Sequence, residues 1–146
     1  MRKPANKPLL SASVEVEIPF QDTDPMAVVW HGNYFRYFEA ARAALLRQID
    51  YDYPQMHDSG YAWPIIETHV RFINAARYQQ RIRVDAYLHE WENRLRIDYC
   101  IFDVETNKRL IKGYTIQCAV SWPDGELQLV SPPALLDRLQ SYLCVS

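Results

Sequence analysis

The stretch QDTDPMAVVWHGNY (Gln21–Tyr34) sets two carboxylates and an imidazole between a strand-like segment and a helix-like one. A residue before proline is driven into extended backbone, so Asp24, which precedes Pro25, is expected to stay outside the helix. That helix opens somewhere from His31 to Asn33, and its first N–H groups lack internal partners and carry partial positive charge. A carboxylate held in extended chain beside such groups suits acyl transfer. Asp24 would attack a carbonyl carbon or activate a water, while the helix end holds the developing oxyanion. Thioesters fit this device, because a thiolate leaves without strong protonation. For His31 three roles are open: orienting a substrate, capping the helix, or holding a water.

Plainer explanations exist for the same residues. Asp-x-Asp ahead of a helix also serves as turn chemistry and as a charge complement to the helix N-terminus. A lone histidine at a helix boundary is often simply hydrogen-bonded. Read as metal ligands, Asp22, Asp24 and His31 match no H-E-x-x-H or other recognised spacing. The chain also lacks the G-x-S-x-G of serine hydrolases and the G-x-x-x-x-G-K of nucleotide-phosphate loops.

The elements that must position these residues follow from periodicity. SVEVEIPF (Ser13–Phe20) alternates as a half-buried strand ending near Pro19, after a frayed tail over Met1–Pro8 that extends no further than residue 12. From Tyr34 to Ile49, the apolar residues Tyr34, Phe38, Ala41, Leu45 and Ile49 recur at helical spacing, giving an amphipathic helix of about four turns. Its Ala40, Ala41, Ala43 and Ala44 make it slim enough for a sheet to approach closely. Local capping preference points to Asn33, whose side chain would accept from the first turn. Tyr51–Tyr61 reads as a surface connection.

Four strands are expected next. Trp63–Ile73 carries Ile66, Val70 and Phe72 against Glu67, His69 and Arg71. Arg81–Glu92 and Arg94–Val104 alternate cleanly, and Arg109–Trp122 makes one long strand. PPALLDRLQSYL then forms a short closing helix. A strand, a long helix and a meander of strands make an α+β domain with an antiparallel sheet of about five strands, whose apolar face the helix covers. Leftover sheet edges favour pairing with a second copy.

With 146 residues the chain suits one domain, spanning 1–146, that buries about 70% of its unfolded surface. A formal charge of −2 gives no broad basic surface for nucleic acid or anionic lipid. Cys100, Cys118 and Cys144 are odd in number and without a C-x-x-C, which fits reduced thiols in a cytoplasm better than disulfides or structural zinc. No signal-peptide or membrane-spanning apolar run is expected. Trp30, Tyr34 and Tyr37 either line a pocket or belong to the core. Arg77, Arg81 and Arg83 either meet phosphates or form a solvated strand face. Glu39 and Arg42, three apart, suit a helix-surface or interface ion pair.

The pattern F-x-D-x-D-P-x-x-V-V-W-H-x-N-Y-x-R-Y-F-E-x-A-R, here FQDTDPMAVVWHGNYFRYFEAAR (Phe20–Arg42), resembles the signature of the hotdog-fold acyl-CoA thioesterases of the 4-hydroxybenzoyl-CoA thioesterase type. PIIETHVRFINAARYQQRIRV (Pro64–Val84) resembles that family's next block, and the resemblance covers about residues 13–140. It implies a hotdog fold, a long helix wrapped by the sheet, with sheets of two copies joined edge to edge as a homodimer or homotetramer. The site would lie at the subunit interface, with Asp24 as nucleophile or general base and the N–H at His31 polarising the carbonyl. Trp30, Gly32, Asn33, Tyr34 and Arg77 would bind substrate, an acyl-CoA or acyl carrier protein thioester, without metal or redox cofactor. Two departures stand out: Ala27 replaces a glycine common in relatives, and Ala75-Ala76-Arg77 replaces P-A-R. If that glycine allows close substrate approach, Ala27 narrows the acyl channel or shifts the loop. The rivals are a non-catalytic acyl-CoA-binding module on the same fold, a hotdog dehydratase and a metal hydrolase.

Overall fold

The structure is a computed structural model that describes residues 7–143. In chain order the elements are β1 (Leu10–Glu17), α1 (Tyr34–Arg47), α2 (Tyr53–Asp58), β2 (Tyr61–Ala62), β3 (Ile65–Phe72), β4 (Arg81–Glu90), β5 (Leu95–Asp103), β6 (Arg109–Gln117), β7 (Val120–Ser121) and α3 (Pro133–Leu143). Single 3-10 turns stand at Phe20–Asp22 and His31–Asn33. β1 begins at Leu10, inside the stretch to residue 12 expected as a tail, because Leu10 is buried and paired with Leu88. Residues 1–6 of that tail lie outside the described residues, as does Cys144.

One antiparallel sheet of five strands runs in the order β1-β4-β5-β6-β3. On its inner face Ile82, Val84, Ala86 and Leu88 of β4 and Leu95, Ile97, Tyr99 and Ile101 of β5 are fully buried, as their alternation requires. α1 covers this face. Phe38 stacks flat on Tyr99, with ring centroids 4.3 Å apart, over Gly113 of β6. A Cβ at Gly113 would stand 2.6 Å from the His69 carbonyl and 3.3 Å from the Phe38 ring, so the missing side chain lets helix and sheet meet. Of the four alanines expected to provide that closeness only Ala41 is buried, and Ala40 is exposed.

Four expectations fail for physical reasons. β3 does not continue a sequential meander: β4, β5 and β6 do, while β3 pairs with β6 at the far edge, and residues 73–80 cross beside the start of α1. A bulge between Ile65 and Glu67 puts Ile65, rather than Ile66, opposite Gln117. The long strand ending at Trp122 breaks after Gln117, and β7 leaves the main sheet to pair with β2. Tyr51–Tyr61 is also more than a surface connection. Asp52 and Gln55 form a capping box that starts α2, and Tyr51 and Met56 are buried. No helix among the described residues is long and apolar enough to cross a membrane.

Candidate active site

Pro25 and the extended backbone before it build a tight turn at the mouth of α1. Asp24 N–H donates to the Val28 carbonyl at 2.8 Å, and Ala27 N–H donates to the Asp24 carbonyl at 2.9 Å. The Met26 N–H donates to Asp24 Oδ1 at 2.8 Å. Oδ2 of Asp24 has no hydrogen-bond partner among the described residues, and the side chain is half-buried. Ala27 closes the turn with φ 65°, a left-handed backbone that glycine adopts at least cost. The glycine expected at this position is thus accounted for by backbone conformation, and Ala27 itself is exposed.

The turn is anchored on both sides. Thr23 bridges Val29, Val28 bridges Arg77, and the Val29 N–H donates to the Ala76 carbonyl at 2.9 Å. The Tyr34 hydroxyl accepts from the Ala76 N–H at 3.0 Å. Burial chiefly, aided by the charge of Asp24, pushes the Tyr34 phenol up against the opposing effect of the Ala76 bond. Asp24 is therefore close enough to the first turn of α1 for its charge to be felt there.

Asp22 does different work. It is 1% exposed, and Tyr37 Oη donates to Oδ2 at 2.6 Å while Arg36 Nη1 donates to Oδ1 at 2.7 Å. Its carbonyl accepts from the Trp30 N–H at 3.0 Å and from Asn33 Nδ2 at 2.9 Å. Burial alone would raise its carboxyl, but the bonds from Tyr37 and Arg36 and the Arg36 charge outweigh that and hold it below its ordinary value. Sequence reasoning left Asp22 as turn chemistry or a metal ligand. Its partners sit a loop and a helical turn away, and no local spacing announces them.

The α1 mouth opens through the 3-10 turn His31–Asn33. Neither the His31 nor the Gly32 backbone N–H donates to another group among the described residues. Trp30 lies over Gly32 so closely that a Cβ there would collide with its ring. His31 is exposed, with its ring against Trp30 at 5.0 Å and Phe72 at 6.5 Å. Asn33 does not cap the helix as expected: its amide is turned to the Asp22 carbonyl, and its Oδ1 takes Arg36. Tyr34 is buried in the core beside Tyr37 and Phe72, with its hydroxyl engaged by Ala76. Of Trp30, Tyr34 and Tyr37, Trp30 alone is exposed, at 51%.

The three arginines do not form one cluster. Arg81 pairs with Glu15 and Glu17 of β1, while Arg83 pairs with Asp85 and lies over Phe102. Arg77, exposed beside the Asp24 turn, makes no ion pair among the described residues. Glu39 and Arg42 do pair, at 3.6 Å, though Arg42 is buried rather than on the helix surface.

A half-buried carboxylate with one free oxygen, beside a helix mouth with free N–H donors, has the parts for addition to a carbonyl. Residues 18–133 match the model of the thioesterase-like superfamily. A Synechocystis protein provisionally named an esterase, sll0410, is 27% identical over 86% of this chain and 76% of its own length. Among solved structures, the Synechocystis 1,4-dihydroxy-2-naphthoyl-CoA thioesterase Slr0204 superposes with TM-score 0.79 at 18% identity, covering 89% of this chain and 96% of its own. A mutant 4-hydroxybenzoyl CoA thioesterase complexed with 4-hydroxybenzoyl CoA gives TM-score 0.77 at 17% identity, covering 88% and 98%. The strand order, the helix the sheet covers and the matched residues agree: this chain belongs to the thioesterase-like superfamily and has the hotdog fold.

Proposed function

We propose that the protein hydrolyses an acyl-CoA thioester, with Asp24 as nucleophile or general base. One observation carries this reading: Asp24 Oδ1 is tied to the Met26 N–H, which fixes the side chain, while Oδ2 is left for a reacting atom. The N–H groups of His31 and Gly32 receive the oxyanion, each good donor contributing about 3 kcal/mol in a site that excludes water. The His31 ring, open at the helix mouth, orients the thioester, and exposed Arg77 meets a phosphate of the carrier. Coenzyme A is favoured over acyl carrier protein because both structural neighbours above are named for CoA thioesters. The site is completed by a second copy: both faces of β3 are largely exposed at the sheet edge, as a strand awaiting a partner would be.

The test is thiol release from a panel of acyl-CoA and acyl carrier protein thioesters, run on wild type and Asp24→Asn. Wild type turns over at least one CoA thioester, and the variant loses about a hundred- to ten-thousand-fold in kcat. Label found in Asp24 after single turnover in isotopically labelled water establishes the nucleophilic route, since a general base gains none. Binding without thiol release in both forms would instead identify a non-catalytic acyl-CoA module.

A further inference from the structure

β3 is a free edge of the sheet, and its outer face carries Glu67, His69 and Arg71, all exposed. The two charges are poorly served within the chain. Arg71 makes no ion pair among the described residues, and directly opposite it on β6 stands Lys112, a like charge that disfavours the position. Glu67 takes the Tyr114 hydroxyl on Oε2 at 2.8 Å, while its Oε1 has no partner among the described residues. Ile66 and Phe72, outside the two charges, are large apolar side chains more than half exposed. Apolar, negative, histidine, positive, apolar is an order that becomes complementary to itself when the strand is turned antiparallel.

We propose that β3 pairs with β3 of a second copy in one register, on a two-fold axis through His69, with Glu67 facing the partner's Arg71 and Arg71 facing the partner's Glu67. The inference deepens the second-copy part of the reading above by fixing which residues meet, and it needs no thioesterase activity. Such an interface is isologous, each contact occurring twice.

The choice of axis follows from elimination. Directly opposed residues of an antiparallel pair point to the same face, so a two-fold normal to the sheet passes through a residue rather than between two. An axis at Glu67 or at Arg71 sets like charges against each other. An axis at Thr68 leaves Arg71 against the partner's Ile65. One at Val70 sets Arg71 against the partner's His69 and leaves Glu67 to the partner's Ile73. Axes nearer either end pair only a few residues. His69 alone matches opposite charges twice, closes Thr68 on the partner's Val70 and lays Phe72 against the bulge at the partner's Ile66.

The backbone agrees with that axis. The Ile73 N–H donates to the Leu110 carbonyl at 2.9 Å, inward to β6, so the alternation of an antiparallel strand turns the N–H and carbonyl of Phe72, Val70 and Thr68 outward. Thr68 then exchanges backbone hydrogen bonds with the partner's Val70, and the two copies of His69 form a non-hydrogen-bonded pair, with Cα atoms about 4.5 Å apart. The register also brings the partner's Ile66 to Phe72, whose ring lies 6.5 Å from that of His31, so the second copy reaches the mouth of α1.

A cysteine on the axis meets itself, which makes the register testable by cross-linking. His69→Cys is expected to give a disulfide-linked dimer on mild oxidation, because a Cα separation of about 4.5 Å is within disulfide reach. Thr68→Cys and Val70→Cys are displaced from their own copies by about 7 Å along the strand, before the gap between strands is added, and should cross-link no more than wild type does. A cross-link at 68 or 70 in place of 69 moves the axis and overturns the inference. Charge gives a second reading that needs no cysteine. Glu67→Arg and Arg71→Glu should each raise the dimer dissociation constant by about tenfold in analytical ultracentrifugation. An equimolar mixture of the two should return to within about threefold of wild type, because every arginine of one copy then faces a glutamate of the other. Variants that associate as tightly as wild type, or a mixture no tighter than its components, overturn the pairing. A wild type that stays monomeric at every concentration overturns the interface itself, while thiol release by that monomer would leave the thioesterase reading standing.

Discussion

Asp22 and Asp24 share a loop, a charge and a common place in the motif, yet their surroundings divide the labour between them. Asp22 is almost wholly buried, and every polar atom it has is bonded: Tyr37 and Arg36 take the carboxylate, Trp30 and Asn33 the carbonyl, and Pro19 accepts from its N–H. Asp24 is half-buried, has one carboxylate oxygen tied to Met26 and keeps the other free. The first residue holds the loop to the helix, and the second is held by it. A spare lone pair beside free N–H donors, rather than charge alone, separates a reactive carboxylate from a structural one.

The sharpest way to break this comparison is to neutralise each residue in turn. Asp24→Asn is expected to lower kcat by the hundredfold or more stated above, with a midpoint temperature close to wild type, because Oδ1 of the amide still accepts from Met26. Asp22→Asn should do the reverse, costing about 2 kcal/mol of stability. The buried Tyr37 bond supplies most of this, and Arg36, more than half exposed, supplies less. At about 2–4 °C per kcal/mol for a chain of this size, thermal unfolding would register it readily. If Asp22→Asn abolished turnover with its melting unchanged, the two assignments would have to be exchanged.

A smaller effect sharpens the same contrast through pH. The Asp22 carboxyl lies lower in the folded chain than the 3.8 of an unperturbed aspartate. A lowered native value contributes stability that is fully present above the unfolded value and is lost as pH falls through the native one. The stability gap between wild type and Asp22→Asn should therefore stay constant around neutrality and shrink as pH drops below about 4. Urea unfolding of both proteins between about pH 6 and about pH 3 measures it. A gap that widened in acid would mean that the carboxylate is not the favoured form in the fold.

How much of this was legible beforehand depended on whether a signal was local. β4 and β5 were readable because alternation of Ile82, Val84, Ala86 and Leu88 with polar neighbours has one interpretation. α1 was readable from helical spacing, and the place of Asp24 outside it from Pro25. α2 was missed although Asp52 and Gln55 carry a capping-box signal, which the surrounding turn-rich residues obscured. β3 misled because a bulge changes which residue faces inward, and nothing in Ile65-Ile66-Glu67 marks a bulge. Asp22's partners depend on contacts between distant segments, and pairs such as Gln117 with Trp63 have no spacing that sequence alone can recognise.

The least of these effects concerns the loop that carries both aspartates. Ala27 holds φ 65°, where an L side chain costs about 1–2 kcal/mol relative to glycine. Glycine would remove that strain but return about 0.5–1 kcal/mol through the greater freedom of the unfolded chain. Ala27→Gly should thus stabilise the protein by no more than about 1.5 kcal/mol, read from urea midpoints at unchanged slope. Because Ala27 is exposed, acyl preference should stay as in wild type. A variant with unchanged stability but a new preference for bulkier acyl groups would show that the methyl group, rather than the backbone, is what this position contributes, and would put the acyl channel on the Asp24 side of the loop.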